Sequence, residues 1–114
     1  MSDSWSIKHT ESERYAAGAE MAKRAGDVGE AQRLYALAAI YEMIASRQLS
    51  PTKNRTLGIT AVSAVSLLCK AGRLEKAEQW ASEWMDHVPH FARKQLQTII
   101  QTIRVNPEAE REAP

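Results

Sequence analysis

Residues 25–31 read AGDVGEA and residues 71–77 read AGRLEKA, so one short pattern occurs twice at a constant offset of 46 residues. In both copies an alanine and a glycine are followed two positions later by an aliphatic residue, and then by a second alanine. Glycine adopts the left-handed conformation that ends helices, and alanine lets the next helix pack closely against the first. Each copy therefore predicts a helical hairpin, with its turn at Gly26 or Gly72.

Around these turns the apolar residues recur with helical spacing, and the prolines and glycines lie mostly between the periodic segments. Thr10 and Glu13 have the spacing of a capping box, which predicts that the first helix begins at about Glu11. No segment shows the strict alternation of a strand. The sequence predicts an all-α fold of about five helices, two antiparallel hairpins and a C-terminal capping helix, over approximately residues 11–25, 27–48, 54–71, 74–86 and 89–105.

The length and composition indicate one folded domain. A chain of 114 residues buries one hydrophobic core, so we expect residues 1–105 to form a single domain. Residues 107–114 read PEAEREAP, a polar composition that is typical of disordered segments. We therefore predict a disordered tail over residues 106–114.

The net charge, the single cysteine and the lack of a long apolar run each exclude certain classes of protein. The formal net charge is +1, from 15 basic and 14 acidic side chains, so no field of one sign exists to gather nucleic acid or anionic lipid. Cys69 is the only cysteine, which excludes an internal disulfide and fits a reducing compartment. Residues 1–9 lack the features of a secretory signal, and no stretch reaches the roughly 18 apolar residues of a membrane span. We expect a cytoplasmic protein without membrane contact.

The repeated hairpin resembles the tetratricopeptide repeat, which combines an early aromatic residue, small residues, a turn, an alanine, a second aromatic residue and a closing proline. The offset of 46 residues exceeds the family's usual period of roughly 34, and Ala61 and Ala81 replace the aromatic residues of the second copy. The resemblance implies an αα-superhelix that binds a protein or peptide, and a five-helix bundle of another kind is the alternative. The residues that carry it, within residues 15–89, are Tyr15, Ala19, Ala31 and Tyr35 in the first copy and Leu68, Ala77 and Pro89 in the second.

The resemblance also indicates where a partner would bind. It places Ile59, Val62, Ser66 and Cys69 on the ligand-facing side of the third helix, an apolar surface that the fifth helix, a second copy of the chain or a partner helix must cover. The first helix contributes a polar side, and the start of the third helix has the residue types with which family members hold a peptide carboxylate, a solvated loop edge being the alternative. The predicted partner-binding residues are Glu20, Lys23, Lys53, Asn54, Arg55, Ile59, Val62 and Ser66.

No pattern in the sequence indicates a catalytic site, a metal site or a cofactor site. His87 and His90 are three residues apart, but Pro89 separates them and no third metal ligand is evident. Cys69 lies in the most apolar segment, where cysteine behaves as a small buried hydrophobe. His9 has no readable partner, and the glutamates, including Glu42, are assigned to solvated faces. Because phosphate-binding and dinucleotide-binding motifs are also absent, we expect no catalytic site, metal or cofactor.

The sequence therefore predicts a non-enzymatic interaction module, a small scaffold or adaptor that binds a partner helix or peptide, with a homodimer as one option. Trp80 and Trp84 share one face of the fourth helix, which suits core packing or an interface. The alternative function is a nucleic-acid-associated regulatory protein, against which the near-neutral charge counts. That protein would contact phosphates through Arg14, Lys23, Arg24, Lys53 and Arg55.

Overall fold

The computed structural model describes residues 4–108, which contain five α-helices. These are α1 (Ser4–Arg24), α2 (Val28–Arg47), α3 (Asn54–Lys70), α4 (Leu74–Trp84) and α5 (His90–Val105), with a 3-10 turn at Met85–His87. Within residues 4–108 there is no strand, so the all-α prediction and the number of helices are confirmed. None of the helices in this range is both long and apolar enough to cross a bilayer.

The two glycine turns form as predicted. Gly26 and Gly72 have φ angles of 82° and 77°, the left-handed conformation that side chains disfavour. The N–H of Asp27 donates to the carbonyl oxygen of Ala22 and that of Arg73 to Leu68, each over 2.9 Å, which is the longer bond of a Schellman motif. The Asp27 carboxylate also accepts the N–H of Glu30 (3.1 Å) and so caps α2. Both hairpins therefore have the same type of turn.

The predicted start of α1 at Glu11 is wrong, because the helix begins at Ser4. Tertiary contacts account for the two additional turns. The Trp5 indole N–H donates to the hydroxyl of Thr60 in α3 (3.2 Å), and the Trp5 and His9 rings stack with centroids 4.7 Å apart. His9 Nδ1 lies 2.7 Å from a carboxylate oxygen of Glu42. These contacts fix the first two turns as helix, although the local sequence has the pattern of a cap at Thr10.

The contacts also define how the helices run. Ser12 donates to the carbonyl oxygen of Ala38 (2.8 Å), and Tyr15 stacks on Tyr41, so α1 and α2 are antiparallel. Trp5, at the start of α1, bonds to the first half of α3. Glu20 near the end of α1 and Lys70 at the end of α3 both contact Tyr35, near the start of α2, so α1 and α3 run in the same direction. The odd-numbered helices are parallel to one another, and α2 and α4 run oppositely. Their Cα atoms span 41 × 37 × 18 Å, a flat stack of hairpins.

Alanine is the commonest residue in the core. Eleven alanines are buried, whereas the large core side chains are few and include Tyr35, Leu68 and Leu96. Cys69 is 1% exposed and belongs to this core, as its apolar surroundings predict. Glu42, in contrast, is buried rather than solvated, so that prediction is wrong, because α1 folds over it and supplies His9 as its partner. Small side chains at the contacts allow the helix axes to approach closely.

Helix α5 ends at Val105, and Pro107 and Glu108, within the segment predicted as a tail, are again helical. The N–H of Asn106 donates to the carbonyl oxygen of Thr102 (2.7 Å), which closes the last turn of the helix. Residues 109–114 of the predicted tail lie outside the described part of the chain, as do residues 1–3.

Replacing Gly26 with alanine should lower the free energy of unfolding by about 1 kcal/mol, because an added Cβ opposes the positive φ. No atom lies within 4 Å of that Cβ, so the change tests backbone conformation alone. Thermal and urea unfolding would measure it. The matched control is Gly29→Ala in the first turn of α2, where stability should stay equal or rise. An equal loss at both positions would contradict the assignment.

Replacing His9 with alanine should destabilise the protein by about 2 kcal/mol, since the buried carboxylate of Glu42 loses its partner. Urea unfolding followed by circular dichroism would report the loss. The exposed His90, at the start of α5, supplies the control, and His90→Ala should change stability by less than about 0.5 kcal/mol. Equal stability of the two variants would show that the contact between α1 and Glu42 contributes nothing.

Candidate partner-binding surface

Four of the predicted binding residues share one open face of α3. Ile59, Val62 and Ser66 follow Arg55 at intervals of four, three and four residues, which places all four within about 60° of the helix circumference. Arg55 is exposed, Ile59 is 50% exposed, and Val62 and Ser66 are half-buried. Cys69, which the sequence prediction places on the same side, lies within about 20° of Val62 around the helix. It is 1% exposed and belongs to the core, so it is not available to a ligand.

Helix α5 lies beside this face and extends it. A Cβ added to Gly58 would be 2.9 Å from the Cβ of Ala92 and 3.1 Å from Phe91, so the absence of a side chain there permits the close approach of the two helices. Between them runs a shallow groove of about 370 Å³, whose floor includes Val62 and Ile99. We call the surface around this groove the α3–α5 face, comprising Arg55, Ile59, Val62, Ser66, Phe91, Lys94, Gln95 and Thr98.

The charge on these two helices is of one sign. Neither α3 nor α5 contains an aspartate or a glutamate, although the whole chain is almost neutral. Arg104 pairs with Glu78 of α4 (2.5 Å), and Arg93 donates to the carbonyl oxygen of Met85 (3.2 Å). Within residues 4–108, Arg55 and Lys94 form no ion pair. The α3–α5 face therefore combines exposed apolar side chains with two basic groups that are available to a partner.

Glu20 and Lys23 lie apart from that face, on α1. Glu20 accepts a hydrogen bond from the phenol of Tyr35, and the Lys70 ammonium lies 5.8 Å from the centroid of the same tyrosine ring. This hydrogen bond holds the pKa of the Glu20 carboxyl below its ordinary value of 4.5, with partial burial opposing the effect and Lys70 adding to it. Lys23 is exposed one turn further along. Glu20 is thus engaged within the fold, and it does not face the groove between α3 and α5.

The start of α3 borders a different cavity, which the sequence does not predict. Lys53 and Arg55 are exposed, and α3 begins without a side-chain cap. Asn54 lines a cavity of about 530 Å³, within the range of ligand sites, between the ends of α2 and α4. The cavity is lined by both apolar and polar side chains, from Ser46, Arg47, Leu49, Pro51, Asn54, Leu57, Glu83, Trp84 and His87.

Stacking of the two hairpins creates this cavity. The Trp84 indole N–H donates to the sulfur of Met43 in α2 (3.1 Å), which brings the end of the second hairpin against the end of the first. Trp80 and Trp84 are both half-buried and pack against the core. The only local signal for the cavity is the aromatic contact between Trp84 and His87, three residues apart, and such spacing occurs in many surface turns.

The residues of the nucleic-acid alternative are not gathered into one patch. Lys23 and Arg24 lie at the end of α1, whereas Lys53 and Arg55 lie at the start of α3. Because these two helices run in the same direction, the pairs are separated by roughly the length of α3, about 25 Å for its 17 residues. Among residues 4–108, no three histidine, cysteine, aspartate or glutamate side chains are grouped as metal ligands.

Replacing Tyr35 with phenylalanine should cost about 1 kcal/mol at neutral pH, because Glu20 loses its hydrogen bond. A carboxyl whose pKa is lowered by folding stabilises the fold above its unfolded pKa, and the stabilisation disappears as pH falls through the folded value. The difference between wild type and variant should therefore shrink below about pH 4. Urea unfolding at neutral pH and again below about pH 4 would measure this difference. The control Tyr41→Phe removes a hydroxyl with no hydrogen bond in residues 4–108 and should show no such pH dependence.

Comparison of the chain with protein-family models, with curated proteins and with solved structures finds no match in any of the three. The resemblance to the tetratricopeptide repeat consequently stays a prediction based on the residues that carry it. Function must be inferred from the shape, the charge and the exposed side chains of the surfaces described above.

Proposed function

We propose that this protein is a non-enzymatic interaction module that binds an acidic, amphipathic segment of a partner protein on the α3–α5 face. One observation carries the proposal: Ile59 and Phe91 are large, apolar and exposed on neighbouring helices that contain no acidic residue. Exposed apolar side chains grouped on one surface are typical of interaction sites. The basic side chains beside them favour a partner of opposite charge.

The groove between α3 and α5 supports a helix-in-groove mode of binding. Ile59 to Ser66 and Phe91 to Thr98 each extend about 10 Å along their helices, which matches roughly two turns of a bound helix. Apolar residues at intervals of three and four in the partner would contact Ile59, Val62 and Phe91. Acidic residues on the partner would reach Arg55 and Lys94, which are exposed on this face.

The two basic groups are expected to influence rate and selectivity more than final affinity. Charges at the rim of an interface steer association and are screened by salt, whereas the apolar centre contributes most of the stability of a complex. Binding should therefore weaken moderately, and not disappear, as salt concentration rises. This behaviour separates the proposal from duplex nucleic-acid binding, which falls steeply with salt because counterions are released.

Replacing Ile59 with glutamate should weaken binding of an acidic amphipathic helical peptide at least about tenfold, because it puts a charge into the apolar centre. Fluorescence anisotropy with labelled peptides would measure affinity, using pairs that share one apolar face and differ only in the sign of their charged residues. Val62→Glu would test the same face, but Ile59 is the better position because it is more exposed and its replacement disturbs the fold less.

The matched control is Val105→Glu, which introduces the same charge at a side chain that is 73% exposed near the end of α5. It should bind the acidic peptide as the wild type does. Reversing Arg55 and Lys94 to glutamate should shift the preference toward the basic peptide. Equal binding of acidic and basic peptides by the wild type, or an equal effect of Ile59→Glu and Val105→Glu, would contradict the proposal.

A further inference from the structure

Helix α2 carries an apolar surface that the fold does not use. Between Arg33 and Arg47 its only charged residue is Glu42, and Glu42 is buried against α1. The remaining residues of this segment are apolar or small on every side of the helix. A helix that is apolar all round is expected to be covered all round, yet Ile40 is 47% exposed.

The covered sides of α2 can be assigned from its contacts. Ala38 and Tyr41 contact α1, while Tyr35 and Met43 lie against the second hairpin, through Lys70 and Trp84 respectively. The side opposite the core is left open. It carries a row of side chains that are exposed or half-buried, which we call the α2 stripe: Glu30, Arg33, Leu37, Ile40, Ile44 and Arg47.

The spacing of the α2 stripe is that of a helix-pairing seam. Its members follow one another at intervals of three, four, three, four and three residues, the alternation of a and d positions in a coiled coil. The three central members are aliphatic and the outer ones are charged. Gly29 and Ala36, which border the stripe on one side, are small and leave room for a second helix to approach.

We propose that α2 pairs antiparallel with α2 of a second copy of this chain, about a two-fold axis midway between Leu37 and Ile40. In that register Leu37 faces Ile40 of the second copy, and Arg33 covers Ile44 with its aliphatic stem. Glu30 faces Arg47 of the second copy at both ends. Every contact is repeated by symmetry, so the pairing buries the aliphatic side chains of the α2 stripe, Leu37, Ile40 and Ile44.

The charges select this partner and this direction. A parallel pair would place Glu30 against Glu30 and Arg47 against Arg47, so like charges would meet at both ends. The antiparallel pair places opposite charges at both ends instead. Glu30 already pairs with Arg33 of its own helix (2.6 Å), which positions its carboxylate on the stripe. The stripe is complementary to itself, and this self-complementarity identifies a second copy as its occupant.

The pairing is independent of the proposed function, because it uses only α2 and leaves the α3–α5 face open. Only two turns of aliphatic residues are buried per copy, fewer than in permanent dimers, so dissociation should occur on dilution. Sedimentation velocity over a wide range of protein concentrations should show a reversible equilibrium between monomer and dimer.

The substitution Ile40→Glu should weaken dimerisation at least about tenfold, since it places two like charges at the centre of the seam. Ile40→Ser, which adds no charge, should weaken it less and serves if the glutamate variant folds poorly. Ile59→Glu is the matched control, with the same change at an isoleucine of similar exposure on α3, and should dimerise as the wild type does. Circular dichroism would confirm that the variants keep their helix content.

Charge reversal tests the register directly. Glu30→Arg and Arg47→Glu should each weaken self-association, because like charges then meet at both ends of the seam. An equimolar mixture of these two variants restores both opposite-charge pairs and should form a heterodimer about as stable as the wild-type dimer. A wild type that stays monomeric at every concentration, a dimer weakened by Ile59→Glu but not by Ile40→Glu, or a mixture that fails to associate would each overturn the inference.

Discussion

Close contact between helices through small side chains is the constraint on which the rest of this structure depends. Alanines 19, 38, 61, 77, 81 and 92 are fully buried, and Gly58 meets Ala92 where α3 and α5 come nearest. Helices can approach this closely only if large side chains are kept out of the contact. The two Schellman turns then set each pair of helices antiparallel and in register, and the hairpins stack into a thin slab.

An alanine core has a consequence for the surface. Each buried alanine removes little apolar area from water, so stability depends on many close contacts and on a few large side chains such as Tyr35 and Leu96. The remaining large aliphatic residues cannot fit into the contacts and lie on the outside. Ile40 and Ile59 are two such residues, on different helices. The apolar surfaces available for association thus follow from the way the core is packed.

The charges are also unevenly distributed among the helices, and only the fold shows which charged helices lie side by side. Acidic residues occur in α1, α2 and α4, in the segments between helices and near both ends of the chain, and α3 and α5 have none. Since α5 packs beside α3, two helices separated in the chain by α4 become one basic surface. Glu42 shows the opposite case, because a charged residue in an apolar helix is buried where His9 can reach it (2.7 Å). Composition alone gives an almost neutral protein and conceals both features.

The sequence by itself determined the helices, the two turns and the shared face of Ile59, Val62 and Ser66, because glycine conformation and helical periodicity are local properties. It misplaced the start of α1 and the exposure of Glu42, since both depend on which residues another helix brings near. It also did not predict the cavity between Arg47 and Trp84. Only the tertiary structure decided those features, because they arise where helices distant in the chain meet.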